Sequence, residues 1–208
     1  MRSIQLFWIK VKGYLLPMRI IAGLAKGKLL NSPPARTRPT SDRAREGLFS
    51  SLESEFGSIE GLCVLDLFAG SGAVGVEALS RGAKLVHAVE KDVVTSDVAI
   101  SNFRMVKNAS GDFRLFKMSA LAYVESSRDV GYDIIFMDPP YDVENDYITQ
   151  MLTDIHTNHL LLPGGLIAIE RASKGNPFTW PQPYIAEKIR SYGQGSIFYG
   201  VDSASVLP

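Results

Sequence analysis

One cysteine stands among the 208 residues. Cys63 therefore has no partner for a disulfide within the chain. Set in the apolar run "LCVLDLF", it reads as a small buried hydrophobe in a reducing compartment. With three histidines, His87, His156 and His159, it makes no metal-ligand spacing. Net charge is also missing, because 22 basic and 22 acidic residues cancel. There is no internal repeat and no low-complexity tract. The leading segment "MRSIQLFWIKVKGYLLP" (1–17) resembles a signal peptide only weakly. Lys10 and Lys12 interrupt it, no small-residue cleavage site follows, and it is too short to span a bilayer. These absences exclude a disulfide-knit secreted scaffold, a zinc module and a membrane span. They predict a cytoplasmic protein that uses neither metal nor membrane. Residues 1–17 are expected to be an extension without a structural role, with Met18 as an alternative start.

What is present is charge asymmetry. Residues 1–45 hold ten of the Lys and Arg and one acid, Asp42, leaving twelve basic and twenty-one acidic residues for the rest. A neutral chain with one basic end presents a basic face to a polyanion. Arg19, Lys26, Lys28, Arg36, Arg38, Arg43 and Arg45 crowd this segment, and at that density they read as phosphate contacts. Arg43 and Arg45 are two apart and cannot share a helix face, so one has Asp42 or Glu46 available as a partner.

The hydrophobic content of 46% supports one domain with a real core. Over residues 18–60 the pattern predicts a short hairpin ("RIIAG" with "KLLN"), a proline-stiffened loop ("SPPARTRPT") and a helix. That helix starts near 40–42 and aligns Ala44, Leu48, Leu52 and Phe56. From 61 to 208 strands and helices alternate. Strands are expected at "LCVLDLF", "KLVHAVE", "FRLFKM", "YDIIFMD" and "PGGLIAIE", with a closing hairpin in "AEKIRSYGQGSIFYG". Helices are expected at "GAVGVEALSRG", 92–107, 119–127 and 145–157. Alternation implies an α/β fold with a mainly parallel sheet covered on both faces. Sites in such sheets form at the carboxyl ends of strands.

Two motifs fall at those ends. "LDLFAGSGAVGVEAL" places Gly70, Gly72 and Gly75 in G-x-G-x-x-G spacing between a strand and a helix, where backbone approaches a ligand and helix N–H groups face it. The spacing alone fits a nicotinamide dinucleotide as well as S-adenosylmethionine. Asp66, at the end of the preceding strand, would repel a pyrophosphate but suits a ligand carrying an ammonium group. Glu90, ending the next strand, is placed to accept ribose hydroxyls in either ligand.

The second motif is "DPPY". As an ordinary feature it is a rigid turn after a strand. Read chemically, Asp138 supplies a carboxylate. Pro139 and Pro140 fix φ and remove two N–H donors. The outward group is then carbonyl oxygen, chiefly that of Pro139. Two acceptors without a competing donor match the NH2 of a nucleobase. They localise a lone pair otherwise delocalised into the ring, and Asp138 or a water takes the proton. Tyr141 offers a flat face for stacking, worth ~1–3 kcal/mol per base. A methyl group on a positive sulfur needs no metal, only alignment.

Taken in order, "MRIIAG", "RPTSDRAREGLF" (38–49), "LDLFAGSGAVGVEALSRGA" (65–83) and "MDPPY" (137–141) resemble the bacterial 16S ribosomal RNA guanine-N2 methyltransferases of the RsmD type. The resemblance runs over nearly the whole chain from Met18, and "RPTSDRAREGLF" is its most specific part. It implies a Rossmann-like class I methyltransferase sheet of seven strands with a short N-terminal hairpin and helix appendage. It also implies S-adenosylmethionine as cofactor and the exocyclic N2 of a guanine in small-subunit RNA as substrate. By matching position, Asp66, Phe68, Gly70, Ser71, Gly72 and Glu90 would line the cofactor site. Asp138, Pro139, Pro140 and Tyr141 would form the target-base pocket. Ser119–Ala120 stands where the family often has Asn or Asp followed by Ala beside the adenine. Lys26, Lys28, Arg36, Arg38, Arg43 and Arg45 are the candidate RNA contacts. The partner would be 16S ribosomal RNA or an assembling small subunit, met by a monomer. Three other readings stand beside this one. They are a methyltransferase of another nucleobase amine, such as adenine N6, an NAD(P) oxidoreductase, and a non-catalytic RNA-binding assembly factor.

Overall fold

The computed structural model describes residues 9–11, 14–16, 18–32, 42–127, 130–173, 178–193 and 195–205. Its strands are β1 (Ile9–Val11), β2 (Tyr14–Leu16), β3 (Cys63–Asp66), β4 (Leu85–Val89), β5 (Asp112–Phe116), β6 (Tyr132–Met137), β7 (Leu161–Ala172), β8 (Tyr184–Tyr192) and β9 (Gly195–Asp202). Its helices are α1 (Asp42–Phe56), α2 (Ala73–Ser80), α3 (Val93–Phe103), α4 (Ala120–Ser126) and α5 (Asn145–Thr157).

Seven strands form one sheet in the order β5-β4-β3-β6-β7-β9-β8. The first five of that order run parallel, and β9 enters antiparallel to both β7 and β8. The chain starts at β3, winds outward through β4 to β5, then returns to β6 on the other side of β3. The ends of β3, β4 and β6 therefore flank the switch point where ligands bind in open α/β sheets. This is the Rossmann-like class I methyltransferase arrangement.

The central strands are apolar because helices cover both faces. In β6, Ile134 and Phe136 enter the cluster shared with α1 and α2, while Ile135 and Met137 enter the cluster shared with α4 and α5. Helix α5 buries Ile148, Met151, Leu152 and Ile155 completely, an i, i+3, i+4, i+7 stripe. Truncating any of these to Ala would cost ~2–5 kcal/mol. In α1, Ala44, Leu48 and Leu52 are buried as the pattern requires, and Phe56 packs half-buried at the helix end.

The 18–30 segment turns back on itself as expected, Arg19 opposite Leu29 antiparallel, with Ile20 N–H on the Lys28 carbonyl (2.9 Å) and Leu30 N–H on the Met18 carbonyl (2.8 Å). Two details differ from expectation. Strand β7 begins at Leu161, ahead of "PGGL", because a register shift between Tyr132 and Ile134 absorbs the extra residues. The leading segment carries a hairpin of its own, β1 paired with β2, outside the larger sheet. Met18, Ile20, Ala25 and Leu30 are buried in the same cluster as the sheet residues, so the 18–60 segment shares the core of 61–208. Among the described residues no helix is long and apolar enough to cross a membrane.

Candidate active site

Strand β3 ends at Asp66 and passes directly into the glycine turn. Ala69 N–H reaches back to the Val89 carbonyl of β4 (2.9 Å), and Gly72 N–H closes on the Ala69 carbonyl (2.7 Å). Gly70 and Gly72 have φ of 53° and 77°, which L side chains rarely adopt. A Cβ at Gly70 would meet nothing within 4 Å, so open space lies over the loop there. A Cβ at Gly75 would come within 2.7 Å of Phe103 Cζ, so the third glycine serves helix packing instead.

Glu90 is held by this loop. Its Oε2 accepts from Gly70 N–H (3.0 Å) and its Oε1 from Asp92 N–H (2.8 Å), tying the exit of β4 to the glycine turn. Each carboxylate oxygen retains a second lone pair for an incoming donor. Asp66 is 2% exposed, and its Oδ1 has no hydrogen-bond partner among the described residues. Burial, then the charge of Asp138, pushes its carboxyl up to about 7, and Glu90 adds to the rise. Amides of Phe68 and Gly75 oppose it. The site thus gathers three acids at the ends of adjacent strands β4, β3 and β6.

Asp138 follows β6 and is half-buried, Pro139 is buried, Pro140 exposed and Tyr141 39% exposed. The Pro140 carbonyl accepts from Val143 N–H (3.0 Å), closing the turn. No hydrogen bond to the Pro139 carbonyl is formed among the described residues. A Cβ at Gly195 would lie 3.1 Å from the Tyr141 hydroxyl, so Tyr141 rests against the start of β9. Phe68 is half-buried against the α4/α5 cluster. Ser119 caps α4 through Oγ, which accepts from Ala122 N–H (3.2 Å), and Ala120 is buried behind it.

Arg45 departs from its sequence assignment. It was a candidate phosphate contact, yet its side chain is wholly buried. Nη2 donates to Asp42 Oδ1 (2.9 Å) and to the Arg19 carbonyl, and Nε stands 3.8 Å from Glu77 Oε2. Its guanidinium pKa is lowered, chiefly by burial. Glu77 in turn accepts from the amides of Ile21 (2.7 Å) and Ala22 (2.9 Å) and pairs with Arg81 (2.9 Å). Arg45 is therefore an internal tie between α1, α2 and the 18–30 segment, out of reach of RNA. Lys26, Lys28 and Arg43 are exposed. Arg36 and Arg38 lie outside the described residues.

Two participants escaped the sequence reading. Arg171 on β7 donates Nη2 to the Val143 carbonyl (2.6 Å) and approaches the Pro140 carbonyl at 3.5 Å, bracing the Pro-Pro-Tyr turn. Its place at a strand's carboxyl end was the available signal. Asn102 on α3 is fully buried. Its Nδ2 donates to the carbonyls of Ser71 (2.8 Å) and Asn31 (2.9 Å), and its Oδ1 accepts from Asn31 N–H (2.8 Å). A polar residue on the stripe Ala99, Asn102, Phe103, Val106 was the sign of it. The histidines have internal roles: His87 meets the Tyr132 hydroxyl (2.7 Å) and His156 meets Asp202 (2.6 Å).

Residues 18–200 match the family model described as "Conserved hypothetical protein 95". The chain is 33% identical over 180 residues to ribosomal RNA small subunit methyltransferase D of Haemophilus influenzae, covering 85% of this chain and 89% of that one. To the protein of the same name from Escherichia coli K12 it is 32% identical over 178 residues, covering 85% and 86%. The solved structure of the putative methyltransferase yhhF from Escherichia coli superimposes with a TM-score of 0.76 at 31% identity, covering 90% of this chain and 98% of that one. With matching motifs, a shared fold and this coverage, the chain belongs to the Conserved hypothetical protein 95 family, the RsmD type that its sequence resembles.

Proposed function

We propose that this protein is an S-adenosylmethionine-dependent methyltransferase acting on the exocyclic N2 of a guanine in 16S ribosomal RNA, in the cytoplasm. The observation that carries the reading is the parallel pairing of β3 with β6, Asp66 opposite Phe136, so that the Asp-Pro-Pro-Tyr turn leaves the sheet next to the strand that runs into the glycine loop. The raised pKa of Asp66, to which the charge of Asp138 contributes after burial, agrees with that closeness. The printed names of the Haemophilus and Escherichia relatives agree with a small-subunit RNA substrate.

The residues fit the cofactor. A buried carboxylate oxygen without a donor at Asp66, flanked by Glu90 and Asp138, favours a ligand with cationic and hydroxyl groups over a pyrophosphate. Asp66, Glu90 and the backbone of Gly70–Gly72 would hold it, with Phe68, Ser119 and Ala120 at its margin. When bound, it supplies a methyl group on a positively charged sulfur.

The chain's own work is at the amine. Asp138 and the Pro139 carbonyl accept its two N–H bonds and turn the nitrogen lone pair outward. Pro140 keeps that turn free of a competing donor, Tyr141 stacks on the base, and Asp138 takes the departing proton directly or through water. Lys26, Lys28, Arg43 and, by sequence, Arg36 and Arg38 neutralise RNA phosphates. All these groups come from one chain, so a monomer suffices.

The test has two stages. S-adenosylmethionine, and not NAD, should stabilise the protein thermally. The protein should then methylate small subunits from a strain lacking it, with N2-methylguanosine as the product in nucleoside mass spectrometry. N6-methyladenosine as product, or full activity in Asp138→Ala, would overturn the reading.

A further inference from the structure

We infer that the turn after α3, Arg104 to Asn108, is a second RNA-phosphate contact and forms one basic face with Lys26 and Lys28. The inference rests on the proposed RNA substrate and adds a surface to it. Residues 18–31 carry Arg19, Lys26 and Lys28 and no acid; residues 98–111 carry Arg104 and Lys107 and no acid. Distant in sequence, the two segments are held side by side. Lys28 Nζ donates to the Met105 carbonyl (2.8 Å), at the end of α3 where the helix dipole favours a cation. Asn31 exchanges two backbone hydrogen bonds with the Asn102 carboxamide (2.8 and 2.9 Å), and its own Nδ2 reaches Ser101 Oγ (3.2 Å).

All five cations are exposed, and none forms an ion pair among the described residues. Some cations elsewhere are paired, Lys117 with Asp97 at 2.7 Å, Arg81 with Glu53 at 2.6 Å and Lys188 with Glu55 at 3.5 Å, whereas this face gathers five that are not. A same-sign cluster without carboxylates is an electrostatic cost in the free protein and an asset beside a polyanion. Asn102 then donates to the Ser71 carbonyl, so this face is fastened to the glycine loop. RNA lying on it would run past the cofactor site instead of across the far side of the sheet.

The experiment compares wild type, the double variant Arg104→Gln/Lys107→Gln, and Lys117→Gln as a control whose charge is already paired. Binding of a small-subunit RNA fragment is measured against salt concentration, with cofactor affinity and unfolding measured in parallel. Each lost phosphate contact lowers the log–log salt slope by ~0.7–0.9, so the double variant should lose ~1.4–1.8 of slope and bind several-fold more weakly. Its cofactor affinity and unfolding midpoint should stay at wild-type values, as should every property of the control. A double variant with wild-type RNA affinity and slope overturns this face while leaving the methyltransferase reading intact. Failure of the wild type to bind the RNA fragment also overturns this face, and the methyltransferase reading then stands or falls on methyl transfer to the small subunits.

Discussion

The Asn102 carboxamide donates to the Ser71 carbonyl at 2.8 Å, linking α3 to the glycine loop from the protein side. The same side chain carries both Asn31 hydrogen bonds. Asn102→Ala would leave three backbone groups without these partners in a buried setting, at ~1–3 kcal/mol for each one that water does not reach. Urea unfolding should show a total loss of ~2–4 kcal/mol. Isothermal titration should show weaker S-adenosylmethionine binding, because Ser71 is no longer fixed. Wild-type stability would refute the bridge.

Arg43 and Arg45 should behave oppositely despite their spacing. Arg45→Ala leaves Glu77 and Asp42 without their buried cation and should cost ~3–5 kcal/mol in chemical unfolding. Its folded fraction should keep the wild-type salt slope for RNA. Arg43→Ala should change stability by no more than ~0.5 kcal/mol and lower the slope by ~0.7–0.9.

Asp66 should make the free protein less stable as pH rises. Its carboxyl is pushed up to about 7 in the fold against 3.8 for a free aspartate side chain, chiefly through burial and then Asp138. Below 3.8 both states are protonated and the native state keeps the full benefit of a neutral Asp66. Between 3.8 and 7 the unfolded chain releases the proton and the native state retains it, so stability falls, then levels above 7. Asp66→Asn should remove this slope from unfolding curves taken between pH 4 and 8. In the wild type, binding of a cationic ligand below pH 7 should strengthen by up to ~tenfold for each unit by which pH rises, level off above 7, and be accompanied by proton release.

If the Pro-Pro-Tyr turn holds the target base as proposed, Arg171 acts on the chemistry through the turn it braces. Arg171→Ala removes the donor to the Val143 carbonyl and the longer contact to the Pro140 carbonyl, and should lower the methyl-transfer rate ~10-fold or more in single turnover. Cofactor affinity should stay unchanged and Arg171→Lys should recover part of the rate. Tyr141→Ala should instead weaken RNA substrate binding by ~1–3 kcal/mol, read as KM.

Local order was legible because it obeys local rules. The apolar run 134–137 is continuous because that strand is covered twice, and Ile148 to Ile155 repeat at helical spacing because one stripe of α5 is buried. Gly70 and Gly72 were recognisable because few other residues accept their φ. Arg45 was misassigned because a charge on the wet side of a helix and one on its dry side look alike in a string. Only packing, with Glu77 supplied from α2, separates Arg45 from Arg43.

By itself, then, the sequence determined the alternation of strands and helices, the glycine turn and the Asp-Pro-Pro-Tyr turn after β6, since each depends on neighbours a few residues apart. Tertiary structure alone decided the meeting of Asp66 with Asp138, the fate of Arg45 and the joining of Lys28 to the end of α3. Those contacts link residues far apart in the chain. They follow from how the strands and helices pack across the fold, with opposed charge added only at Arg45, and no local pattern encodes that packing.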